Sequence, residues 1–343
     1  MSSTQTIGID TAKRVFFLHG EDARGKVILR EKLSRERLLP FLANQPVSVI
    51  AIEAGCGAHH WARAFSKLGH EVRVIHPKFV RPFVKTNKND WNDAAAICEA
   101  SQRPTMRFVA TKSLEQQDLL AIHRVRERLV GQRTGLCNQI RGLLAEYGVV
   151  LPQSVSRLRR ALPEVLEDAE NELTVRGREL IASLFDELRS LEERIKPYGR
   201  AIEQASVDSG TCRRVRSIPG IGPIGSTALV ATMGDPKAFK NGRHFAAFLG
   251  LVPRQHSSGG KSQLGRISRR GDVYVRRLLI QGAHSILKRV DRIDGPCADL
   301  LRGLMARRGR QVAAVALANK NARIAWRLLS QEAFYDEALA AAS

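Results

Sequence analysis

Two short apolar segments near the N-terminus each end in an acidic residue, and this pattern most restricts the possible folds. Asp10 follows Thr6-Ile7-Gly8-Ile9, and Glu53 follows Val47-Ser48-Val49-Ile50-Ala51-Ile52. Apolar runs of this length are typical of buried strands, and in open α/β sheets the functional site lies beyond the carboxyl ends of the strands. Asp10 and Glu53 are therefore expected to lie side by side if these two strands are neighbours.

The other segments up to residue 110 alternate between strand and helix patterns. The sequence predicts further strands at 14–19, 26–33 and 71–75, and helices at 58–68 and 91–101. The strands at 14–19 and 26–33 are expected to continue an antiparallel meander from the first strand. The prediction is an α/β domain over residues 1–110.

Asp90 and Asp93 stand at the start of the alanine-rich helix. Residues three apart share a helix face, so both carboxylates can point to one place. They can also be simple N-cap and first-turn acids, which are common and stabilising. Four clustered acids repel one another unless a cation neutralises them. Together with Asp10 and Glu53, the pair predicts a Mg²⁺ site of the kind that acts on a phosphodiester.

The chain is strongly basic, with 55 Lys and Arg against 34 Asp and Glu and a formal net charge of +21 in 343 residues. Such a charge attracts polyanions and favours nucleic acid through counterion release. Residues 251–310 contribute much of the excess, with 14 basic and 4 acidic residues. Charge alone does not distinguish DNA from RNA. The alternative explanation of the basic charge is a solvated basic surface or a ribosome-associated protein.

Five cysteines are scattered along the chain without a CxxC spacing. An odd number without ligand spacing indicates reduced thiols and argues against zinc or a disulfide framework. A signal peptide and an 18-residue apolar run are both missing from the sequence. We expect a soluble cytoplasmic protein without a membrane partner.

Two long amphipathic segments, 112–147 and 174–207, follow the α/β pattern. Leucine and isoleucine recur at three- and four-residue steps, which predicts two long helices over a middle region at 111–207. They form either a coiled coil for dimerisation or a helix pair packed within one domain. Pro152 and Pro163 predict a turn-rich connection at 150–170.

The third predicted domain, residues 208–343, is mostly helical and begins with a turn rich in glycine. Ile218-Pro219-Gly220-Ile221-Gly222-Pro223 before an alanine-rich segment is typical of a helix-hairpin-helix, although a plain turn between helices has the same pattern. In the first interpretation, Gly220 and Gly222 let the backbone approach a phosphate, and the following helix offers free N–H groups to it.

The segment Ser257-Ser258-Gly259-Gly260 lies between basic stretches. It can be a flexible linker, a phosphate cradle, or the seat of a nucleophilic serine. A serine hydroxyl needs a group that takes its proton, and neither His256 nor His244 is a secure candidate from sequence. Nearby cations that can bind phosphate, or simply solvate a basic surface, are Lys261, Arg266, Arg269 and Arg270.

The order of these motifs resembles one family over nearly the whole chain. The Asp10 strand, the Glu53 strand and the Asp90-x-x-Asp93 helix resemble the RuvC-like (RNase H-like) DEDD domain of bacterial insertion-sequence transposases. Gly250-Leu251-Val252-Pro253, the Pro-Gly-Ile-Gly turn and the Ser-Ser-Gly-Gly-Lys run resemble their C-terminal transposase domain. The family is the insertion-sequence 110 family, 1111 subgroup, to which Piv-type DNA invertases are related.

The resemblance implies more than the residues do. Family members are DNA recombinases that excise and insert a mobile element, and those studied use an element-encoded bridge RNA that pairs with donor and target DNA. The family serine that links covalently to DNA maps to Ser258, with Ser257 as the competitor, and the family acids map to Asp10, Glu53, Asp90 and Asp93. Dimers that pair into tetramers are implied as well.

The sequence is therefore interpreted as that of a Mg²⁺-dependent, RNA-guided DNA transposase that exchanges strands through a phosphoserine at Ser258. One alternative is a Mg²⁺-dependent, structure-specific nuclease resembling a junction resolvase, which uses water as its nucleophile. Another is a non-catalytic nucleic-acid-binding protein built on the helix-hairpin-helix. A covalent protein–DNA adduct distinguishes the first from both alternatives.

Overall fold

The computed structural model describes residues 5–85, 87 and 89–336 of the chain. It divides into two compact units, Met1–Ser113 and Leu114–Ser343. Residues 1–4 and 337–343, at the outer ends of the first and third predicted domains, lie outside the described residues. The long helices and the C-terminal segment share one unit, and a further domain boundary at residue 207 stays a prediction. Among the described helices, none has the length and apolarity needed to cross a membrane.

The first unit is an α/β sheet with helices on its faces. Its strands are β1 (Thr6–Thr11), β2 (Val15–Glu21), β3 (Val27–Ser34), β4 (Val49–Glu53), β5 (Glu71–Ile75) and β6 (Phe108–Val109). Its helices are α1 (Arg35–Ala43), α2 (Ala58–Lys67), α3 (Pro77–Val80) and α4 (Asp90–Ser101), with a 3-10 turn at Arg81–Phe83.

The sheet has the strand order β3-β2-β1-β4-β5-β6. Strands β1, β2 and β3 form the predicted antiparallel meander, and β4 and β5 run parallel to β1. Strand β1 pairs directly with β4, so the expected adjacency of the two acid-terminated strands is confirmed. This mixed sheet is consistent with the predicted RuvC-like fold.

Alternation of side chains along β1 and β4 separates the two faces of the sheet. Ile7 and Ile9 share a buried cluster with Trp61 of α2 on one face. Ala51 of β4 packs against Ala96 and Ile97 of α4 on the other face. The packing of α4 is very close at Gly8 of β1, where a Cβ atom would lie 2.3 Å from the Ala94 carbonyl oxygen.

Several sequence predictions for the first unit need correction. The helix α1 was missed because Pro40 interrupts its pattern, although Leu38 and Leu42 bury one face. Strand β4 begins at Val49 rather than Val47, since the Ser48 hydroxyl folds back to the Pro46 carbonyl and leaves Val47 exposed. The short elements α3 and β6 were also not predicted.

The second unit is mainly helical. Its helices are α5 (Leu114–Ala145), α6 (Val155–Glu167), α7 (Val175–Asp208), α8 (Gly210–Arg216), α9 (Pro223–Met233), α10 (Gly242–Phe248), α11 (Val273–Leu287), α12 (Pro296–Arg308) and α13 (Arg310–Gln331). A hairpin of β7 (Pro253–Ser258) and β8 (Lys261–Ile267) stands between α10 and α11, and 3-10 turns lie at Pro236–Ala238 and Val290–Arg292.

The two predicted long helices are present as α5 and α7, and they pack against each other within the unit. Their shared buried cluster contains Leu136 and Ile140 of α5 and Leu188 and Leu191 of α7. Leu180 belongs to the leucine pattern of the sequence, but it is half exposed because the buried stripe passes through Ile181 instead.

The connection predicted as turn-rich holds the helix α6. Its buried Leu158 and Leu162 join the cluster of the long helices. This packing outweighs the loss of one backbone hydrogen bond at Pro163. The prediction of a turn-rich segment is therefore wrong for 155–167.

A buried histidine joins α5 to the C-terminal helices. The two ring nitrogens of His123 lie 2.9 Å from the Tyr274 hydroxyl of α11 and 3.0 Å from the Thr227 hydroxyl of α9. Thr227 donates its own proton to the Pro223 carbonyl oxygen, so it accepts from His123 Nε2. Tyr274 therefore donates to Nδ1, and the imidazole is neutral in this arrangement. Burial lowers the pKa of His123 to about 4.

Replacing Gly8 with alanine is expected to lower the free energy of unfolding by about 1 to 3 kcal/mol, because the new methyl group meets backbone atoms of α4. The matched control is Gly131→Ala in α5, where no described atom lies within 4 Å of the added methyl. There the higher helix propensity of alanine should raise stability by up to about 1 kcal/mol. Urea denaturation measures both, and equal shifts would contradict the packing role of Gly8.

The His123 environment predicts a pH dependence of stability. An unfolded-chain histidine titrates near its ordinary pKa of about 6.5, above the folded value of about 4. Between these values the unfolded chain binds more protons, so the free energy of unfolding falls as pH drops, by on the order of 3 kcal/mol in total. Urea denaturation at pH 7 and pH 4.5 should show a shallower decrease for His123→Gln, and identical slopes would exclude this role.

Candidate active site

The two acids at the start of α4 lie in its first turn. Asn89 is the N-cap, and its side chain accepts from the backbone N–H of Asn92 at 2.8 Å. Asp90 and Asp93 follow in the first turn. They therefore do not serve as the cap, but they do occupy the first-turn positions at which acids stabilise a helix.

The Asp10 carboxylate meets those of Asp90 and Asp93. One oxygen from each of the three lies within 4.8 Å of the other two. Asp10 shares the sheet face of Gly8, two residues earlier, and this is the face on which α4 packs. Asp10 and Asp93 are partly buried, and Asp90 is exposed. The prediction that these three acids converge is supported by this geometry.

In the parallel pairing of β1 with β4, Ile9 lies opposite Ile52. Glu53 is the next residue of β4, so it lies opposite Asp10 of β1. It also shares the face of Ala51, which packs toward α4. Its carboxylate is nevertheless not a member of the three-oxygen group found among the described residues. The structure thus places Glu53 on the α4 side of the sheet, on the strand next to the one that carries Asp10.

Contacts of α4 with the sheet hold the acids in position. Trp91 packs edge-on against Phe17, the β2 partner of Asp10, with ring centroids 4.9 Å apart, and Arg30 lies over the Trp91 ring. Farther along α4, the Cys98 thiol donates to the Thr6 carbonyl oxygen at 3.4 Å. Burial raises the pKa of Cys98 to about 12, so it stays a thiol. These positioning residues were not predicted from the sequence, although a glycine inside a buried strand is itself a sign of close packing.

The donor set suits a hard divalent cation. All three converging groups are carboxylates, which are the ligands that Mg²⁺ prefers, and their partial exposure leaves room for water or phosphate oxygens. Three anions this close repel one another without a cation. The fit is one of ligand chemistry and spacing, and it supports the predicted metal site.

The predicted Ser-Ser-Gly-Gly loop is a β-hairpin in the second unit. Ser257 and Ser258 end β7, and Gly259-Gly260 form the turn before β8. Both glycines have positive φ, 55° and 76°, as a two-residue turn of type I′ requires. The linker interpretation is therefore wrong for the serines, because cross-strand pairing orders them.

The two serines face opposite sides of the hairpin, since they are consecutive in a strand. Ser258 pairs with Lys261, and His256 pairs with Gln263 on the same face. On the other face, the Ser257 hydroxyl accepts from the Gln255 side-chain amide at 2.9 Å. His244, the other candidate proton acceptor, lies in α10, where its Nδ1 accepts from the backbone N–H of Lys240.

The base of the hairpin is packed tightly. Gly250 and Gly271 both have positive φ, and a Cβ atom on either would lie within about 2 Å of a carbonyl oxygen across the base. The buried Arg276 guanidinium donates to the carbonyl oxygens of Leu249 and Arg270. Arg269 takes a left-handed φ of 54° at this point. Arg269 and Arg270 thus stand at the base, Arg266 lies within β8, and Lys261 flanks the turn.

The predicted glycines of the helix-hairpin-helix differ in their surroundings. The turn joins α8 to α9, and a Cβ at Gly220 would lie 2.8 Å from the Gly282 carbonyl oxygen of α11. Packing alone therefore explains Gly220. Gly222 is the N-cap of α9, is exposed, and has no described atom within 4 Å of an added Cβ. Phosphate contact at either glycine stays a prediction, and Gly222 is the more accessible of the two.

Substitution of Asp93 by asparagine tests the carboxylate cluster. Removal of one ligand should weaken Mn²⁺ or Mg²⁺ binding at least about tenfold. In metal-free buffer the same change should raise the thermal midpoint, because one repulsive charge is lost. Isothermal titration and thermal unfolding measure these effects, with Glu36→Gln in the first turn of α1 as the control. An unchanged metal affinity would exclude Asp93 as a ligand.

Comparison with known proteins agrees with this arrangement. A model for a DEDD transposase domain, described as "Transposase", matches residues 7–149, and the model "Transposase IS116/IS110/IS902 family" matches residues 212–295. The first match includes Asp10, Glu53, Asp90 and Asp93, and the second includes the hairpin.

Full-length relatives extend the similarity to almost the whole chain. A "Probable family 20 transposase" of Pseudomonas aeruginosa is 47% identical over 96% of this chain and 98% of its own length. The "Transposase for insertion sequence element IS1111A" of Coxiella burnetii is 42% identical over 98% of this chain and 92% of its own. The IS1328 transposase of Yersinia enterocolitica is 42% identical over 96% and 98%. The chain belongs to the IS110/IS116/IS902 family of insertion-sequence transposases, which are DNA recombinases.

Proposed function

We propose that this transposase is an RNA-guided recombinase that needs Mg²⁺ and exchanges DNA strands through a phosphoserine at Ser258. The observation that carries the proposal is the convergence of the Asp10, Asp90 and Asp93 carboxylates at the edge of the sheet. The family membership supplies the DNA substrate, and the resemblance described above supplies the guide RNA and the covalent step. The reaction takes place in the cytoplasm of the host cell.

Asp10, Asp90 and Asp93 would hold the metal directly, and Glu53 would complete the set from the neighbouring strand. Bound Mg²⁺ supplies positive charge at the phosphodiester oxygens. The half-buried Asp10 and Asp93 fix the site against the sheet, while the exposed Asp90 leaves it open toward nucleic acid. Ordered α4 contacts at Phe17 and Trp91 keep the carboxylates preorganised.

Ser258 is the proposed nucleophile in the second unit. Its Oγ attacks the phosphorus, the new Oγ–P bond forms, and the bond from phosphorus to the leaving deoxyribose oxygen breaks. The serine proton leaves to a base, and the leaving oxygen takes up a proton. A hydroxyl of the partner strand then reverses these steps, so the phosphodiester is rejoined without an external energy source. Ser258 is favoured over Ser257 because the Ser257 hydroxyl is engaged by Gln255.

The partners follow from charge and from the resemblance. Donor and target DNA and the bridge RNA would bind the basic surface that gives the chain its net charge of +21. Lys261, Arg266, Arg269 and Arg270 would contact phosphates along the hairpin, and Gly222 would do so at the start of α9. The chain would act as a dimer that assembles into a tetramer, with the surfaces of α5 and α7 outside their shared buried cluster as the elements of assembly.

A denaturing gel tests the proposal directly. Purified protein, the RNA flanking the element, Mg²⁺ and labelled donor and target DNA should give a protein–DNA adduct. The adduct should disappear in Ser258→Ala, in Asp10→Asn and when the RNA is omitted, because each removes a required part of the reaction. Ser257→Ala is the matched control and should keep adduct formation within a few-fold of the parent.

Other outcomes contradict specific parts of the proposal. Cleaved DNA without an adduct, still abolished by Asp10→Asn, would indicate a nuclease that uses water. An adduct that persists in Ser258→Ala but not in Ser257→Ala would assign the nucleophile to the other face of the hairpin. An adduct formed equally well without RNA would exclude RNA guidance.

A further inference from the structure

One face of the hairpin presents a cation directly opposite the proposed nucleophile. Ser258 and Lys261 are cross-strand partners on either side of the Gly259-Gly260 turn. Directly opposed residues in an antiparallel pair have Cβ atoms about 4.5 to 5.5 Å apart and project to the same side. The four-carbon stem of a lysine therefore reaches past a serine Oγ to a phosphate bound there.

The other basic residues of the hairpin region are not equivalent. Arg254 lies near the base, where the register shifts between Pro253 and Gln255. Arg269 and Arg270 follow the end of β8, and their backbone forms part of the packed base. Near the turn, by contrast, Ser258 and Lys261 are exposed, and a Cβ built on Gly259 or Gly260 meets no described residue within 4 Å apart from its chain neighbours. A nucleic-acid backbone therefore has room to approach Ser258 and Lys261 there.

From this register we propose that Lys261 is a catalytic residue, whose ammonium group binds a non-bridging oxygen of the phosphate that Ser258 attacks. The inference rests on the proposed function and assigns one cation to the reacting phosphate. Attack by Oγ adds a fifth oxygen to phosphorus, and negative charge accumulates on the non-bridging oxygens until the leaving oxygen departs. A fixed ammonium group at that point stabilises the transition state more than it stabilises the ground state of the bound DNA.

The Lys261→Met variant tests this role because it keeps the length of the side chain and removes the charge. At saturating DNA and RNA, the single-turnover rate of adduct formation should fall by about 10² to 10³-fold. Lys261→Arg should recover part of the rate, since the positive charge is kept. Arg254→Met, which removes one charge from the same hairpin, should change DNA affinity but leave this rate within a few-fold.

A substrate with a methylphosphonate at the scissile position separates charge stabilisation from structure. Replacing a non-bridging oxygen by a methyl group removes the negative charge that Lys261 is proposed to neutralise. The rate difference between the parent and Lys261→Met should therefore shrink to a few-fold on this substrate. An equally large difference on both substrates would mean that Lys261 has a structural role only, and the inference would be overturned.

The failure of this inference is distinguishable from the failure of the proposed function. If the adduct requires Ser258 but forms at the parental rate in Lys261→Met, the role of Lys261 alone is excluded. If Ser258→Ala still forms the adduct, the proposed nucleophile is excluded first. Circular dichroism and the thermal midpoint of each variant check folding, and every residue of β7 is exposed, so a substitution in the hairpin removes little buried contact.

Discussion

The close contact between α4 and β1 at Gly8 is the constraint on which the carboxylate cluster depends. With a hydrogen in place of a side chain, the strand accepts the backbone of α4 at the level of Ala94 and Cys98. The helix then begins beside the end of β1, where Asp10 stands. The backbone positions from which the carboxylates project are therefore set by this close packing.

The carboxylate cluster of the first unit and the serine hairpin of the second are built on different physical principles. The acids are supported by a buried sheet and by aromatic and sulfur contacts along α4. The serine stands on an exposed hairpin whose order comes from cross-strand pairing and from the locked base around Arg276. A tight base with an open turn leaves the end of a two-stranded arm exposed to a polyanion.

Much of this organisation could be predicted from the sequence, because hydrophobic periodicity and the residues at the ends of strands indicate it. The apolar runs ending at Asp10 and Glu53 predicted adjacent strands, and β1 pairs with β4. The spacing of Asp90 and Asp93 predicted a common face, and both reach Asp10. The two long helices followed from their leucine pattern, because burial along a helix repeats every three to four residues.

What could not be predicted depends on contacts between distant segments. Nothing local shows that Gly8 faces Ala94, or that His123 meets Thr227 and Tyr274 more than a hundred residues away. The order of Ser257 and Ser258 was missed because a serine-glycine run is typical of flexible chain, and only pairing with β8 reveals the strand. The presence of Pro163 also led to a wrong prediction for α6, because tertiary packing overrides the local preference of proline.

The two-residue turn of the hairpin has a consequence for how its length can vary. A strand alternates its faces at every residue, so a shift of one position in the pairing exchanges the two sides. Deletion of one glycine at Gly259-Gly260, with a two-residue turn kept, would bring Ser257 rather than Ser258 opposite the lysine. Which serine faces the lysine is thus a property of turn length as much as of the serine itself, and adjacent serines in such a run are not interchangeable.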